Sequence, residues 1–226
     1  MVIGNGMIAK AFSSYQTSSD VIIFASGVSN SQEQRESEFL RELTLLQGVI
    51  SERRHLVYFS STSIYDDSVR NTPYVVHKIR LEQYIRDNAQ SYTIFRLPIV
   101  VGNTNNPTAL VKLIYDQIMH EETVHVFGRA CRYFLDVEDL AYIVGEILRT
   151  GVYKNDIVDM CVAPSLPIGD VISAMEATLG KVANKINLDK GGCYQVPSDK
   201  IQSFLQEIGF TTDVNYGHRI IAKYYK

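Results

Sequence analysis

The chain has 226 residues, is 46% hydrophobic and 21% charged, and carries a formal charge of −3 with a pI of about 6.0. That length suits one large domain or a domain with a small lobe, and the slightly acidic balance argues against a nucleic-acid footprint. No apolar run reaches the ~20 residues that cross a bilayer, and Met1-Val2-Ile3-Gly4 leaves no room for a leader peptide, so a cytoplasmic protein without membrane contact is expected. Cys131, Cys161 and Cys193 lie far apart with no Cys-x-x-Cys, a spacing that predicts reduced, mostly buried thiols and no metal site.

In chain order, Val2-Ile3 followed by Gly4-Asn5-Gly6-Met7-Ile8-Ala9 predicts a strand end, a glycine turn and a helix running to about Phe12. Gly4 and Gly6 allow a tight turn and close approach of backbone to a pyrophosphate, and Ala9 lets the helix pack against its strand. Asp20–Gly27 is a buried strand ending in small residues. It can be the second strand of a dinucleotide fold, with Ser26 where an acidic ribose ligand usually stands, or a later strand whose Ala25-Ser26 end lets a cofactor pass; the helix that follows directly favours the later strand. That helix, Glu36–Ile50, places Phe39, Leu40, Leu43, Leu46 and Ile50 on one face, with its charges expected in solvent.

The stretch from Leu56 to Ile85 concentrates the chemistry. Leu56–Ser60 is an apolar run fit for a buried parallel strand, and its end carries four hydroxyls, Ser60, Ser61, Thr62 and Ser63. Thr72-Pro73 is a hydroxyl N-cap followed by proline at the first helical position, and Tyr74 and Lys78, four apart, share a face of the helix that begins there. An ammonium one turn from a phenol favours the phenolate, so such a tyrosine can exchange a proton with a substrate alcohol or carbonyl, with Ser61 hydrogen-bonded to the same oxygen.

Beyond it, Tyr92–Leu97 is a strand leading into Pro98-Ile99, and Thr108–His120 is a helix with Leu110, Leu113, Ile114 and Ile118 inward. This βα alternation argues for a parallel sheet covered on both faces. A short strand at Val124–Phe127 precedes Arg129 and Arg132, whose guanidinium forks suit diphosphate oxygens. A helix then runs to about Thr150, with Asp139 orienting local backbone. Ile157–Ala163 is a strand, Pro167–Gly180 and Asp199–Ile208 are helices, and the Tyr-rich C-terminus closes a small lobe.

The segments GNGMIA, DVIIFASG, LVYFSSTSIY, YVVHK, FRLPIVVG and VFGRACRYFLDVEDLAYIV, in this order, resemble an extended short-chain dehydrogenase/reductase of the NAD-dependent epimerase/dehydratase family; VDMCVAPSLPIGDVISAMEATLGK and SDKIQSFLQEIGF fit more loosely. The resemblance implies a shortened Rossmann-like doubly wound α/β sheet, with a dinucleotide-binding core at about 1–105 and 120–163. A small α+β substrate lobe at about 164–226 takes contributions from 103–135. It implies an NAD(P)(H) cofactor held by Gly4, Asn5, Gly6, Met7, Ile8, Ala25, Ser26, Ser60, Lys78, Pro98 and Ile99. It also implies catalysis by Ser61, Tyr74 and Lys78, a nucleotide-sugar substrate touching Thr62, Arg129 and Arg132, and a homodimer through helices 36–50 and 73–85.

Four departures from the family pattern bear on the function. Further strand and helix, with an acidic ribose ligand, normally stand between the glycine turn and the strand equivalent to Val21–Ala25; this chain goes almost directly across, so its sheet is expected to be shortened on the adenosine side. Thr62 and Ser63 occupy the places where sugar dehydratases carry Asp and Glu, which argues against 4,6-dehydration. Ile99 replaces a polar residue, and the helix asparagine that many relatives use to hold a catalytic water has no counterpart, Glu38 lying nearest its place. The expectation is reduction of a keto group, C4 by preference, of a nucleotide-diphosphate-linked deoxysugar. A 4-epimerase, or a non-catalytic binding protein on the same fold, is the alternative.

Overall fold

A computed structural model describes residues 1–50 and 53–226. In chain order the elements are β1 (Val2–Ile3), α1 (Met7–Ala11), β2 (Val21–Phe24), α2 (Glu36–Ile50), β3 (His55–Ser61), α3 (Pro73–Asn88), β4 (Tyr92–Leu97), β5 (Ile99–Val101), α4 (Leu110–Met119), β6 (Thr123–Phe127), β7 (Cys131–Arg132), β8 (Phe134–Asp136), α5 (Val137–Thr150), β9 (Asp156–Asp159), β10 (Leu166–Pro167), α6 (Ile168–Leu179), β11 (Asn184–Leu188), α7 (Asp199–Glu207) and α8 (Tyr216–Tyr225). They form two compact units, one of Met1–Leu97 with Glu138–Met160, the other of Pro98–Val137 with Cys161–Lys226. Of the residues assigned to the core from sequence, 98–105, 120–137 and 161–163 fall in the second unit.

The first unit is a five-stranded parallel sheet in the order β1-β2-β3-β4-β9. Alternation along its strands assigns the two faces. Leu56, Tyr58 and Ile94 meet Leu46 and Ile50 of α2 and Leu81 and Ile85 of α3 in one core. Phe59 and Phe95 pack together on the other face, where Phe12, just after α1, stacks on Phe59. Val21–Phe24 lies between β1 and β3, which is the position of the later strand rather than of a second strand outside β1. Thr72 accepts a hydrogen bond from the Val75 N–H at 3.4 Å with Pro73 opening α3, the start expected of that pair.

Two expectations fail on α2, one inward and one outward. Leu40 is 61% exposed, while Glu42, expected in solvent with the other charges, is 0% exposed. The helix turns its buried stripe toward a polar cluster beneath β2 and β3, and Leu40 falls outside that stripe. Leu113 of α4 likewise faces outward at 40% exposure, with Val111, Ile114 and Ile118 carrying the buried side.

The second unit contains three small pairings: β5 with β8 and β6 with β11 are parallel, β7 with β10 antiparallel. The strand β11 follows no alternation visible in the sequence, since four of its five residues are exposed. The buried carboxylate of Asp136 anchors α8, accepting from Lys223 Nζ and the Tyr224 hydroxyl, each at 2.7 Å, while the Asp136 N–H donates to the Tyr216 hydroxyl. The cysteines depart from expectation: Cys131 and Cys193 form a disulfide, and Cys161 is a buried thiol outside it. Pairing of β11 beside β6 carries the chain after Leu188 along residues 128–132, and this brings together two cysteines 62 positions apart.

Candidate active site

The glycine turn is built by the parallel neighbours β1 and β2. Gly4 has φ +126°, and a Cβ there would sit 2.4 Å from the Ala25 carbonyl oxygen, so only glycine lets the turn pass the end of β2. At Gly6, the residue before α1, a Cβ would meet nothing, so the space above the turn is open. Asn5 is exposed, Met7 and Ile8 are half-buried, and Ala9 is buried. At the end of β2 the Ser26 carbonyl and hydroxyl accept from Arg41 Nη1 at 3.1 and 3.2 Å, and Arg41 pairs in turn with Glu38.

The end of β3 presents its hydroxyls to different partners. Ser60 donates to Glu82 at 2.5 Å, and Glu82 is clamped by both arms of Arg96, so this hydroxyl is spent inside the core. Ser61 accepts from the Ser63 N–H at 3.1 Å and donates to the Ser63 hydroxyl. Thr62 is buried in the short turn that follows. Tyr74, 7% exposed, packs with Val28 and Val75 against Phe39, Ile64 and Val69, and its hydroxyl makes no hydrogen bond among the described residues. That hydroxyl is not among the buried polar atoms left without a partner, so it reaches the surface although the ring is packed in the core.

Lys78 does stand one turn from Tyr74, with Nζ 5.8 Å from the phenol ring centroid. Its ammonium is nonetheless engaged below: it donates to Glu42 Oε1 at 2.8 Å and to the Tyr58 hydroxyl at 3.2 Å, and a Cβ on Gly27 would touch both Nζ and Glu42 Oε1 within 3.0 Å. Glu42 also accepts from Tyr58 at 2.7 Å and from the Val28 N–H at 2.7 Å, and its Oε2 lies 3.1 Å from His77 Nε2. Burial alone would raise the Glu42 carboxyl; the Lys78 charge and these hydrogen bonds overcome it and hold the group well below the usual carboxylate range. Burial, reinforced by the Glu42 charge, pushes the Tyr58 phenol up. Glu42 was missed from sequence; the one signal was an acid at a position that α2's apolar spacing assigns to the inside.

The remaining expected residues belong to the second unit. Pro98 precedes β5, where Ile99 pairs with Phe134. Arg129 forms an ion pair with Asp189 at 2.9 Å. Arg132 donates to the carbonyls of Cys131 and Gly192 and stacks over Tyr194, with its guanidinium carbon 5.6 Å from the ring centroid. Both arginines are thus held by the 189–194 segment that the disulfide fastens.

Residues 5–160 match the model of the NAD dependent epimerase/dehydratase family. The chain belongs to that family. Membership makes it an NAD(P)-dependent enzyme of the short-chain dehydrogenase/reductase type. Its fold is similar to that of RMD from Pseudomonas aeruginosa complexed with NADPH, at 15% identity and TM-score 0.72, over 98% of this chain and 96% of that one. It is also similar to the UDP-glucose 4-epimerase of Thermus thermophilus in complex with NAD, at 14% identity and TM-score 0.69, covering 96% of this chain and 81% of the other. The Bacillus cereus UDP-glucuronic acid 4-epimerase in complex with UDP-glucuronic acid and NAD gives 18% identity and TM-score 0.69 over 98% and 78%. No curated protein sequence matches the chain.

For a family member, the first unit brings together Gly4 to Ile8, Ala25, Ser26, Ser60, Ser61, Tyr74 and Lys78, at the carboxyl ends of β1, β2 and β3 and the start of α3. The glycine-only turn at Gly4 and the open space at Gly6 fit the phosphates of a nicotinamide cofactor. Lys78 differs from expectation in that Glu42 holds its ammonium and Gly27 covers it.

Proposed function

We propose that this protein reduces a keto group, C4 by preference, of a nucleotide-diphosphate-linked deoxysugar at the expense of NAD(P)H. The observation that carries the reading is Tyr74 at the start of α3, its ring buried and its hydroxyl free of protein hydrogen bonds among the described residues, with the Lys78 ammonium 5.8 Å from the ring centroid. When bound, the cofactor supplies the hydride. Tyr74 donates the proton to the carbonyl oxygen, Ser61 hydrogen-bonds that oxygen as charge develops on it, and Lys78, anchored by Glu42, keeps a positive charge beside the phenol. Thr62, Arg129 and Arg132 are assigned to the sugar nucleotide, and Pro98 and Ile99 to the nicotinamide. The solved relatives named for UDP-sugars supply the substrate class by analogy.

Reduction is favoured over 4-epimerisation by the sheet. An epimerase uses one cofactor through oxidation and return and profits from retaining it, whereas a reductase exchanges it every turnover. A sheet whose strands all lie on one side of the glycine turn offers a dinucleotide fewer holds, which suits exchange. Incubation with 4-keto sugar nucleotides and NADH or NADPH tests the reading: one reduced cofactor is consumed per sugar reduced. Interconversion of sugars with no net loss of reduced nicotinamide would assign the epimerase instead.

The same reading includes a homodimer through α2 and α3. Leu40 and Leu45 on α2 and Val76 and Ile79 on α3 are the large apolar side chains that these two helices leave exposed, at 61, 40, 53 and 45%.

A further inference from the structure

In a doubly wound sheet a dinucleotide lies across the point where strand order reverses, with each half over strands on its own side of the glycine turn. The order here runs β1-β2-β3-β4-β9 without reversal, and among the described residues β1 pairs with β2 alone. From the glycine turn the chain passes through α1 and one short turn at Ser13–Tyr15 straight into β2, so no strand is laid down on the far side of β1. Every strand end near the turn therefore lies on the side that carries Ser61 and Tyr74. The β2 end offers no acid to a second ribose: Ser26 is hydrogen-bonded to Arg41, which Glu38 neutralises.

We infer that the protein binds the nicotinamide mononucleotide half of its cofactor and leaves the adenosine half without protein partners, so that reduced nicotinamide mononucleotide serves as well as the full dinucleotide. The inference rests on the nicotinamide-dependent reading above and deepens it. The half that is held contains the ring, its ribose and one phosphate, all on the β2–β3–α3 side. The half left out contains the adenine, its ribose and the 2′-position that separates NADP from NAD. Discrimination between the two dinucleotides disappears for the same reason, because the 2′-phosphate has no strand end to meet.

The chain is titrated with reduced nicotinamide mononucleotide, NADH and NADPH, reading nicotinamide fluorescence and heat, and adenosine, which shares no group with the mononucleotide half, is then added as competitor against NADH. The expected result is three dissociation constants within about tenfold of one another, and no displacement of NADH by adenosine. Dinucleotides binding more than about tenfold tighter than the mononucleotide, or displacement by adenosine, overturn the inference while leaving the nicotinamide reading intact. Failure of all three reduced nucleotides to bind overturns the nicotinamide reading itself and the inference with it.

Discussion

Lys78 and Glu42, 36 positions apart in the chain, meet in a 2.8 Å ion pair whose carboxylate is wholly buried and whose ammonium side chain is 3% exposed. The pair ties α3 to α2 beneath Gly27, and its ammonium is the cation that stands beside the proposed acid. A buried charge deprived of its counterion is among the costliest defects in a core.

Glu42→Ala is expected to lose about 3–5 kcal/mol of stability and to lower Tm by on the order of 10 °C, measured by calorimetry. Because the folded-state pKa of Glu42 is depressed, its contribution is complete above the unfolded carboxylate value of about 4.3 and fades as pH falls below it. The stability gap between the native chain and Glu42→Gln should therefore narrow as pH is lowered from about 6 to about 3. A gap that stays constant or widens would show that the carboxylate is not held ionised.

Tyr74→Phe removes one hydroxyl from a site whose ring packing against Val28, Phe39, Ile64 and Val69 is preserved. Turnover is expected to fall by about 10²–10⁴-fold with nucleotide binding nearly unchanged, since the proton donor is lost and the apolar contacts are not. A variant with native turnover would take Tyr74 out of the chemistry.

The Cys131–Cys193 bond closes a loop of 62 residues. Chain-entropy reasoning assigns it about 4 kcal/mol at most, and its reduction or Cys193→Ser should lower Tm measurably. Thiol titration of the unfolded chain should find one free thiol without reductant and three with it. Three thiols in the protein purified without reductant would remove the bond.

Charged residues placed on the exposed apolar helix faces test the dimer. Leu40→Glu with Val76→Glu should yield a monomer by light scattering, with Tm little changed in the first unit because both side chains are more than half exposed. A native chain that is monomeric at high concentration would dispose of the interface.

The sequence by itself determined the local elements and their order. Thr72-Pro73 specifies where α3 starts because a hydroxyl cap and a fixed φ act within one turn, and the apolar run of β3 marks a buried parallel strand because both faces must be covered. The six ordered motifs likewise sufficed for the family. Tertiary structure alone decided what lies between elements. The register of β2 against β1 puts the Ala25 carbonyl over Gly4, the rotation of α2 turns Glu42 inward and Leu40 outward, and the parallel pairing of β11 with β6 joins Cys131 to Cys193. Residue spacing along one helix or strand reports which side chains share a face; which partner that face meets depends on contacts 36 or 62 positions away, and no short-range pattern encodes them.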